Sequence, residues 1–221
     1  MTTPIESLSG VAKLVAVMNV LRSPGGCPWD AEQTHQSLLE YLLEESHELI
    51  EAVETGDRQD LREELGDVLL QVVFHARLAE EHDSDPFDLD QIAELTATKL
   101  MSRHPHVFAG EEAASASDVE AIWHQQKKTE KGRSSLLDGI PKTLPALMHA
   151  TKVQKRTKQL EIPIDLNLPA EVIAELNSTE SIGKLLFALV NHARKQKIDP
   201  EAALRAAIRD YEEKVKSAEN N

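Results

Sequence analysis

The residues of this chain best suited to chemistry are carboxylates concentrated in two neighbouring segments. They are Glu44, Glu45, Glu48, Glu63, Glu64 and Asp67. Glu45 and Glu48 are three residues apart, and so are Glu64 and Asp67. Residues at this spacing lie about 60° apart around a helix axis, so each pair would share a face. Four carboxylates on facing helices repel one another, and a divalent cation that prefers oxygen ligands, Mg²⁺ or Mn²⁺, would relieve the repulsion.

The acidic pattern also has an ordinary explanation. Glu-rich helix faces are common and usually only solvated, so Glu-Glu-x-x-Glu alone is a weak indication of a metal site. A second acidic pair at the same spacing makes the metal site the better interpretation. Glu44 and His47 form one Glu-x-x-His pair, but a di-iron bundle requires two, and no second pair lies nearby. Neither a P-loop nor a Gly-x-Gly-x-x-Gly motif occurs.

Two adjacent helices must position these carboxylates, and hydrophobic spacing predicts them over about 31–55 and 60–81. Gly56 suits the C-terminal cap of the first, and the short connection predicts an antiparallel pair. The expected core positions of the two helices are Leu38, Leu42, Leu49, Val53, Leu61, Leu65, Val68, Leu69, Val72, Val73 and Ala76.

The remaining segments also have helical patterns, which predicts an all-α helical bundle. Helices are expected over about 7–22, 90–103, from 117 onward, 144–159, 179–196 and 200–217. The composition agrees, because 41% of the 221 residues are hydrophobic and only 4% are aromatic. That mixture favours helices packed through aliphatic side chains over a β-sandwich.

Charge and cysteine content limit which partners and which location we expect for this protein. The net charge of −14 argues against nucleic acid or an anionic membrane as a partner. Cys27 is the single cysteine, so no intramolecular disulfide is possible. No apolar run approaches the roughly 20 residues of a membrane span, and the N-terminus has no signal-peptide pattern. We therefore expect a cytoplasmic protein.

An internal repeat links the two halves of the chain. The segment 66–77 resembles 183–194 in its glycine, its apolar register and its His-Ala-Arg ending. Two similar amphipathic helices would also give such a match, but the three shared features favour a duplication.

With these motifs, the chain resembles the MazG nucleoside triphosphate pyrophosphohydrolases. The family motif Glu-Glu-x-x-Glu, spacer, Glu-x-x-Asp corresponds to Glu44-Glu45-Ser46-His47-Glu48, fifteen intervening residues, and Glu64-Leu65-Gly66-Asp67. The flanking stretches that also resemble the family are Cys27-Pro28-Trp29-Asp30, Lys99 to Arg103 with His104-Pro105-His106, Trp123 with Lys127, and 135–147.

The resemblance implies an all-α enzyme, usually a homodimer, that cleaves nucleoside triphosphates between the α and β phosphates. It implies Mg²⁺ ligands at Glu45, Glu48, Glu64 and Asp67, with Glu44 bordering the metal or nucleotide. It also implies that Lys99, Arg103, Trp123 and Lys127 contact the nucleotide.

The chemistry of these residue types agrees with that role. Lys99 and Arg103 are four apart on one helix face, where both can reach phosphates, and Trp123 can stack on a base. We expect Glu44 or Glu64 to help orient the attacking water. His104 and His106 either contact phosphate or form a structural turn.

The second repeat departs from the family pattern. Ser181 and Lys184 occupy the positions of Glu64 and Asp67, and no Glu-Glu-x-x-Glu helix precedes them. A lysine places positive charge where a cation would bind, so we expect no catalytic magnesium there. We predict a catalytic domain over 1–133, a linker and connecting helix over 134–160, and a degenerate second repeat over 161–221.

Two alternatives remain open from the sequence. One is a narrower pyrophosphohydrolase of the same helical superfamily, specific for dUTP or phosphoribosyl-ATP. The other is a non-catalytic helical scaffold or regulator whose acidic hairpin is only a solvated surface. Broad-specificity hydrolysis in nucleotide-pool housekeeping is the favoured interpretation.

Overall fold

The structure, a computed structural model, describes residues 4–110, 115, 119, 134–158, 160 and 169–219. Every regular element among these residues is a helix, which confirms the predicted all-α class. A 3₁₀ turn at Ile5–Ser7 precedes the α-helices. These are α1 (Gly10–Arg22), α2 (Pro28–Glu32), α3 (Leu39–Thr55), α4 (Arg58–Ala79), α5 (Leu89–Arg103), α6 (Pro105–Phe108), α7 (Ala146–Thr157), α8 (Ala170–Glu175), α9 (Thr179–Lys195) and α10 (Pro200–Glu219).

The chain divides into two compact units, Met1–Trp123 and His124–Asn221. Of the helix predicted to start at 117, the structure describes only Val119, which is helical, and the rest lies outside the described residues. The predicted division at 133 and 160 stays a prediction. None of the described helices combines the length and the apolar character that crossing a bilayer requires.

The α3–α4 hairpin is the central element of the first unit, and its turn is specified by two residues. Gly56 ends α3 with φ of 76°, a left-handed conformation that a side chain would disfavour. Asp57 caps α4, because its carboxylate accepts hydrogen bonds from the backbone N–H groups of Gln59 and Asp60. The two helices pack along each other, as the short connection predicts.

The core of the first unit lies between this hairpin and α1. Met18, Leu38, Val73 and Phe74 are its buried members. At the edge of the core, the Arg22 guanidinium forms an ion pair with Glu81 at 2.7 Å. It also donates hydrogen bonds to the backbone carbonyls of α2 and the following segment. Arg22 therefore joins α1, the end of α2 and the C-terminal end of α4.

The helix expected over 31–55 is wrong in its first part, because the chain leaves the helical path between α2 and α3. Thr34 and Ser37 exchange backbone-to-hydroxyl hydrogen bonds of 2.9 and 3.1 Å. Hydroxyl side chains that bind nearby backbone groups compete with helical hydrogen bonding, so a turn replaces the helix. The short helix α6, begun by Pro105, was also not predicted.

Three residues assigned to the core by their spacing are exposed in this chain. Val53, Leu65 and Val72 are 61, 52 and 40% exposed. Periodicity identifies the apolar residues of a helix, but it does not say which of them face the rest of the same chain. The α3–α4 hairpin consequently carries apolar surface that nothing in the described part of the first unit covers.

The second unit has its own core, centred on α7 and α10. Val153 and Val215 are almost fully buried, and the hydroxyls of Thr157 and Tyr211 are hydrogen bonded at 2.9 Å. Ile140 joins this core from the segment that the sequence assigns to a linker. Helix α9 contacts α10, and large apolar residues such as Phe187, 79% exposed, remain on its surface.

Candidate metal and nucleotide site

The carboxylates singled out by their spacing meet in the groove between α3 and α4. Glu45, Glu48 and Glu64 each offer an oxygen, and these oxygens lie within 4.8 Å of one another. Glu45 and Glu64 are half-buried, whereas Glu48 is exposed. Asp67, one turn further along α4, is half-buried and close enough for its charge to act on both Glu45 and Glu64. We call these four residues the carboxylate cluster.

The electrostatics of the carboxylate cluster are unfavourable without a cation. Burial raises the pKa of Glu45, and the charges of Asp67 and Glu48 raise that pKa further. Burial likewise raises the pKa of Glu64, and the charges of Glu48 and Asp67 raise that pKa further. Glu45 and Glu64 therefore resist ionisation, first because of burial and then because their neighbours are also acidic. A divalent cation would remove that cost.

The oxygens fit a magnesium ion. One carboxylate oxygen of Glu64 is buried and has no hydrogen-bond partner among the described residues, although buried acceptors are normally satisfied. In octahedral coordination at about 2.0–2.1 Å from the metal, ligand oxygens lie about 3–4 Å apart. The oxygens of Glu45, Glu48 and Glu64, within 4.8 Å of one another, are close to that spacing.

A cleft of about 230 Å³ extends from the carboxylate cluster towards the Gly56 turn. It is lined by Glu48, Glu51, Ala52, Thr55, Asp60 and Glu64. The sequence interpretation did not include Glu51 and Asp60. Their spacing held the signal, because Glu51 follows Glu48 by three residues and Asp60 precedes Glu64 by four, which continues the same two faces.

The basic residues implied by the resemblance are partly described. Lys99 and Arg103 are half-buried in the last turns of α5, a helix that packs against α4. Glu44 is exposed on α3 beside the cluster. Trp123 and Lys127 lie outside the described residues.

The two histidines that follow Arg103 differ in their contacts. The Nδ1–H of His104 donates a hydrogen bond of 2.7 Å to the carbonyl of Leu100, which caps the end of α5. His106 has a buried Nδ1 without a hydrogen-bond partner among the described residues. His104 therefore has a structural contact, and the alternative of phosphate binding stays open for His106.

The second unit contains no comparable cluster among its described residues. Lys184, at the position of Asp67 in the repeat, forms an ion pair with Glu180 on the surface of α9. A groove of about 390 Å³ between α7 and α10 in this unit is mainly apolar, and Asp210 is the carboxylate among its lining residues. The described residues of this unit therefore form amphipathic helices without a comparable carboxylate cluster.

Helices that present clustered carboxylates to a groove define a class of all-α proteins with a candidate divalent-cation site. Comparison with known proteins identifies the family. Residues 33–108 match the MazG nucleotide pyrophosphohydrolase domain. This range contains the whole carboxylate cluster together with Lys99 and Arg103.

Relatives match over nearly the whole chain. A nucleoside triphosphate pyrophosphohydrolase of Escherichia coli K12 is 38% identical over 96% of this chain and 88% of its own length. The nucleoside triphosphate pyrophosphohydrolase/pyrophosphatase MazG of Thermotoga maritima is 40% identical over 94% of this chain and 84% of its own. A 26.1 kDa protein of Streptomyces cacaoi is 43% identical over 94% of this chain and 83% of its own. The chain belongs to the MazG family.

Proposed function

We propose that this chain hydrolyses nucleoside triphosphates to a nucleoside monophosphate and pyrophosphate with Mg²⁺ as cofactor. The observation that carries the proposal is the carboxylate cluster, in which oxygens of Glu45, Glu48 and Glu64 meet between α3 and α4 and Asp67 is close enough for its charge to act on Glu45 and Glu64. Family membership and the relatives named as nucleoside triphosphate pyrophosphohydrolases support the reaction type. Mn²⁺ is the expected substitute metal, because it accepts the same oxygen ligands.

Glu45, Glu48, Glu64 and Asp67 would hold the metal, with Glu44 bordering it. A bound Mg²⁺ supplies charge neutralisation at the phosphates and lowers the pKa of a coordinated water. The carboxylates give it a fixed position in the groove, so that a triphosphate with roughly four negative charges can approach an acidic surface. Without the metal, that surface would repel the substrate.

The reaction is a displacement at the α phosphorus. The oxygen of a water molecule bonds to the α phosphorus, the bond from that phosphorus to the bridging oxygen breaks, and pyrophosphate leaves with the bridging oxygen. Glu64 is the favoured residue to orient this water, because one of its oxygens lacks a hydrogen-bond partner and its pKa is raised by burial. A raised pKa brings a carboxylate closer to the range in which it can accept a proton.

Lys99 and Arg103 are proposed to bind the phosphates. Their spacing of four residues places them on one face of α5, and Arg can hold a phosphate through two parallel hydrogen bonds. Trp123 and Lys127 complete the proposed nucleotide contacts on the strength of the family motif.

We propose that the protein acts as a homodimer. Leu39, Leu43, Ile50 and Val53 recur along one side of α3, and each is at least half exposed. A contiguous apolar stripe of this kind usually marks a protein interface. Light scattering of the purified protein tests the oligomeric state. The cytoplasm is the proposed location, since nucleoside triphosphates and magnesium are available there.

The test is product analysis with a panel of nucleoside triphosphates, with Mg²⁺ and with a chelator. The wild-type chain and the Asp67→Ala variant are compared, and circular dichroism verifies that both are folded. We expect monophosphate plus pyrophosphate from wild type with Mg²⁺. We expect loss of both products on chelation and at least a 100-fold lower rate in the variant.

The alternatives give different results in the same assay. Turnover restricted to dUTP or to phosphoribosyl-ATP would replace broad housekeeping with a narrow specificity. Nucleoside diphosphate plus orthophosphate would show cleavage between the β and γ phosphates, which would contradict the proposed reaction. No turnover of any nucleotide by folded, magnesium-supplied protein would leave the scaffold hypothesis in its place.

A further inference from the structure

Two histidines meet at the far end of the α3–α4 hairpin from the Gly56 turn. The Nδ1 atoms of His35, in the segment 33–38, and His75, on α4, are 2.8 Å apart. The ring centroids are 5.1 Å apart and the ring planes differ by 5°. A nitrogen–nitrogen distance of 2.8 Å is the smallest that this centroid distance permits, so the rings lie edge to edge in one plane. The contact is an in-line hydrogen bond.

This geometry fixes how many protons the pair can hold. In an in-line contact one Nδ1 must carry the hydrogen and the other must offer its lone pair. The pair is therefore compatible with two neutral rings, or with one neutral and one charged ring. If both rings are charged, two N–H groups point at each other and the contact must open.

The surroundings of the two rings make the second proton costly. His35 is exposed, whereas His75 is half-buried, and the Nε2 atom of His75 is buried without a hydrogen-bond partner among the described residues. Burial lowers the pKa of His75, and the charge of His35 lowers that pKa further. Adding a second proton to the pair is therefore costly, because it would charge the half-buried His75.

The charged groups on neighbouring elements are engaged with one another. On α1, Arg22 pairs with Glu81, and on α4, Arg77 pairs with Glu80 and Glu81. Asp30 of α2 is buried, and its backbone carbonyl accepts from Arg22. Among the charged groups, His35 is the one whose charge lowers the pKa of His75.

The histidine contact lies on the same hairpin as the carboxylate cluster. His75 is eight residues beyond Asp67 on α4, or about 12 Å along the helix. The segment that contains His35 leads through the fully buried Leu38 into α3, which carries Glu45 and Glu48. The contact of His35 with His75 on α4 therefore influences where α3 begins relative to α4.

We propose that His35 and His75 form a pH-sensitive latch that holds the segment 33–38 on α4 and keeps the acidic faces of α3 and α4 in register. The latch is closed while the pair holds at most one extra proton. It opens at acidic pH, when both rings are protonated. The opening and closing of the latch do not depend on the proposed function, whereas its effect on the carboxylate cluster rests on that function.

The latch is tested by thermal unfolding of the full chain in a chelator at pH 7.5 and 5.5. Both tryptophans of the chain, Trp29 and Trp123, belong to the first unit, so their fluorescence reports on that unit. In His35→Asn the amide oxygen can accept from either the neutral or the charged His75, so its contact does not open. His192→Asn is the matched control, because His192 is the exposed counterpart of His75 in the repeat.

The sign of the effect follows from the in-line contact, which a second proton opens in wild type and not in His35→Asn, and the lowered pKa of His75 has the same sign. The stabilising contribution of His75 is present above the unfolded pKa of about 6.5 and is lost as the pH falls through the lower folded pKa. We expect wild type and His35→Asn to melt together at pH 7.5, and wild type to melt roughly 3–6 °C lower than the variant at pH 5.5. His192→Asn should follow wild type at both pH values. Equal acid sensitivity of wild type and His35→Asn would overturn the latch.

A second measurement covers the case in which His35→Asn does not fold. Nuclear magnetic resonance titration of the wild-type imidazoles should show His35 and His75 titrating in two separated steps, as coupled groups do. Two independent, ordinary titration curves would contradict the latch. Neither measurement needs magnesium or substrate, so failure of the latch is distinct from failure of the proposed function.

The link between the latch and the carboxylate cluster is measured by the Mg²⁺ concentration for half-maximal activity. Between pH 7.5 and pH 5.5 this concentration should rise several-fold more in wild type than in His35→Asn. An equal rise in both proteins would contradict the link.

Discussion

Two segments with nearly the same helical pattern differ in chemistry between the two units. In α4, the residues around the shared glycine are Glu64 and Asp67, and α3 supplies facing acidic residues along 17 residues of helix. In α9, the same positions are Ser181 and Lys184, and the preceding helix α8 has only 6 residues. The apolar register and the His-Ala-Arg ending are retained in both.

The comparison shows that the formation of an amphipathic helix and the formation of a cation site depend on different residues. An amphipathic helix needs only its own periodic residues and a cap, and α9 has both. A cation site needs a second helix at the correct distance with ligands at matching positions. The helix before α9 has only 6 residues, no comparable group of carboxylates occurs among the described residues of this unit, and Lys184 pairs with Glu180.

The largest expected effect comes from the carboxylate cluster itself. Glu48→Gln removes one negative charge from the proposed metal site and should lower pyrophosphate release by about 100-fold or more. The matched variant Glu180→Gln in α9 should retain wild-type activity. Similar losses in both variants would mean that the second copy also contributes to catalysis, and the contrast between the units would be wrong.

The next effect concerns Arg22, whose side chain is 5% exposed. Arg22→Ala removes the ion pair to Glu81 and the hydrogen bonds to two carbonyls, and should cost about 2–3 kcal/mol of unfolding free energy. Arg205→Ala, in the second unit, removes a more exposed ion pair to Glu201 and should cost less than about 1 kcal/mol.

Urea denaturation measures both arginine variants. Tryptophan fluorescence follows the first unit, and far-ultraviolet circular dichroism follows both. An equal cost for the two substitutions would show that Arg22 is not the joint between α1, α2 and α4 that its contacts indicate.

Repulsion within the carboxylate cluster should appear as a pH-dependent loss of stability without metal. The pKa values of Glu45 and Glu64 are raised. Their contribution to stability is therefore fully present below the unfolded pKa of about 4.5 and is lost as the pH rises through the folded pKa. In a chelator, Glu48→Gln should melt above wild type at pH 7.5, with a smaller difference at pH 4.5.

Added Mg²⁺ gives the complementary measurement for the cluster. A ligand that binds only the folded state raises the melting temperature, so wild type at pH 7.5 should gain more from Mg²⁺ than Glu48→Gln. If Mg²⁺ stabilises both proteins equally, the cation binds elsewhere.

The smallest effects are expected at the helix caps, where the two segments should behave alike. Asp57→Ala at the start of α4 and Ser178→Ala at the start of α9 each remove a side-chain cap, at a cost of about 1 kcal/mol. Urea denaturation measures both. A large cost at one cap and none at the other would show that α4 and α9 do not form by the same local rules.

Local properties of the chain were readable from the sequence. The all-α class, the hairpin of two helices and the acidic face on each follow from residue periodicity, the Gly56 cap and a spacing of three between carboxylates. These features depend on residues within a few turns of one another, so no knowledge of distant contacts is required. The match of residues 33–108 to the MazG family agrees with the same motif.

Tertiary structure decided what periodicity could not. The pattern over 31–55 is compatible with one helix, but the hydrogen bonds between Thr34 and Ser37 and the contact of His35 with His75 place a turn there. Val53 and Leu65 have the spacing of core residues but lie on the surface of this chain. The buried, unpartnered oxygen of Glu64 depends on how α3 packs against α4. The Thr34–Ser37 hydrogen bonds are local, but the other outcomes rest on contacts between residues distant in the sequence, and such contacts exist only once the helices have packed.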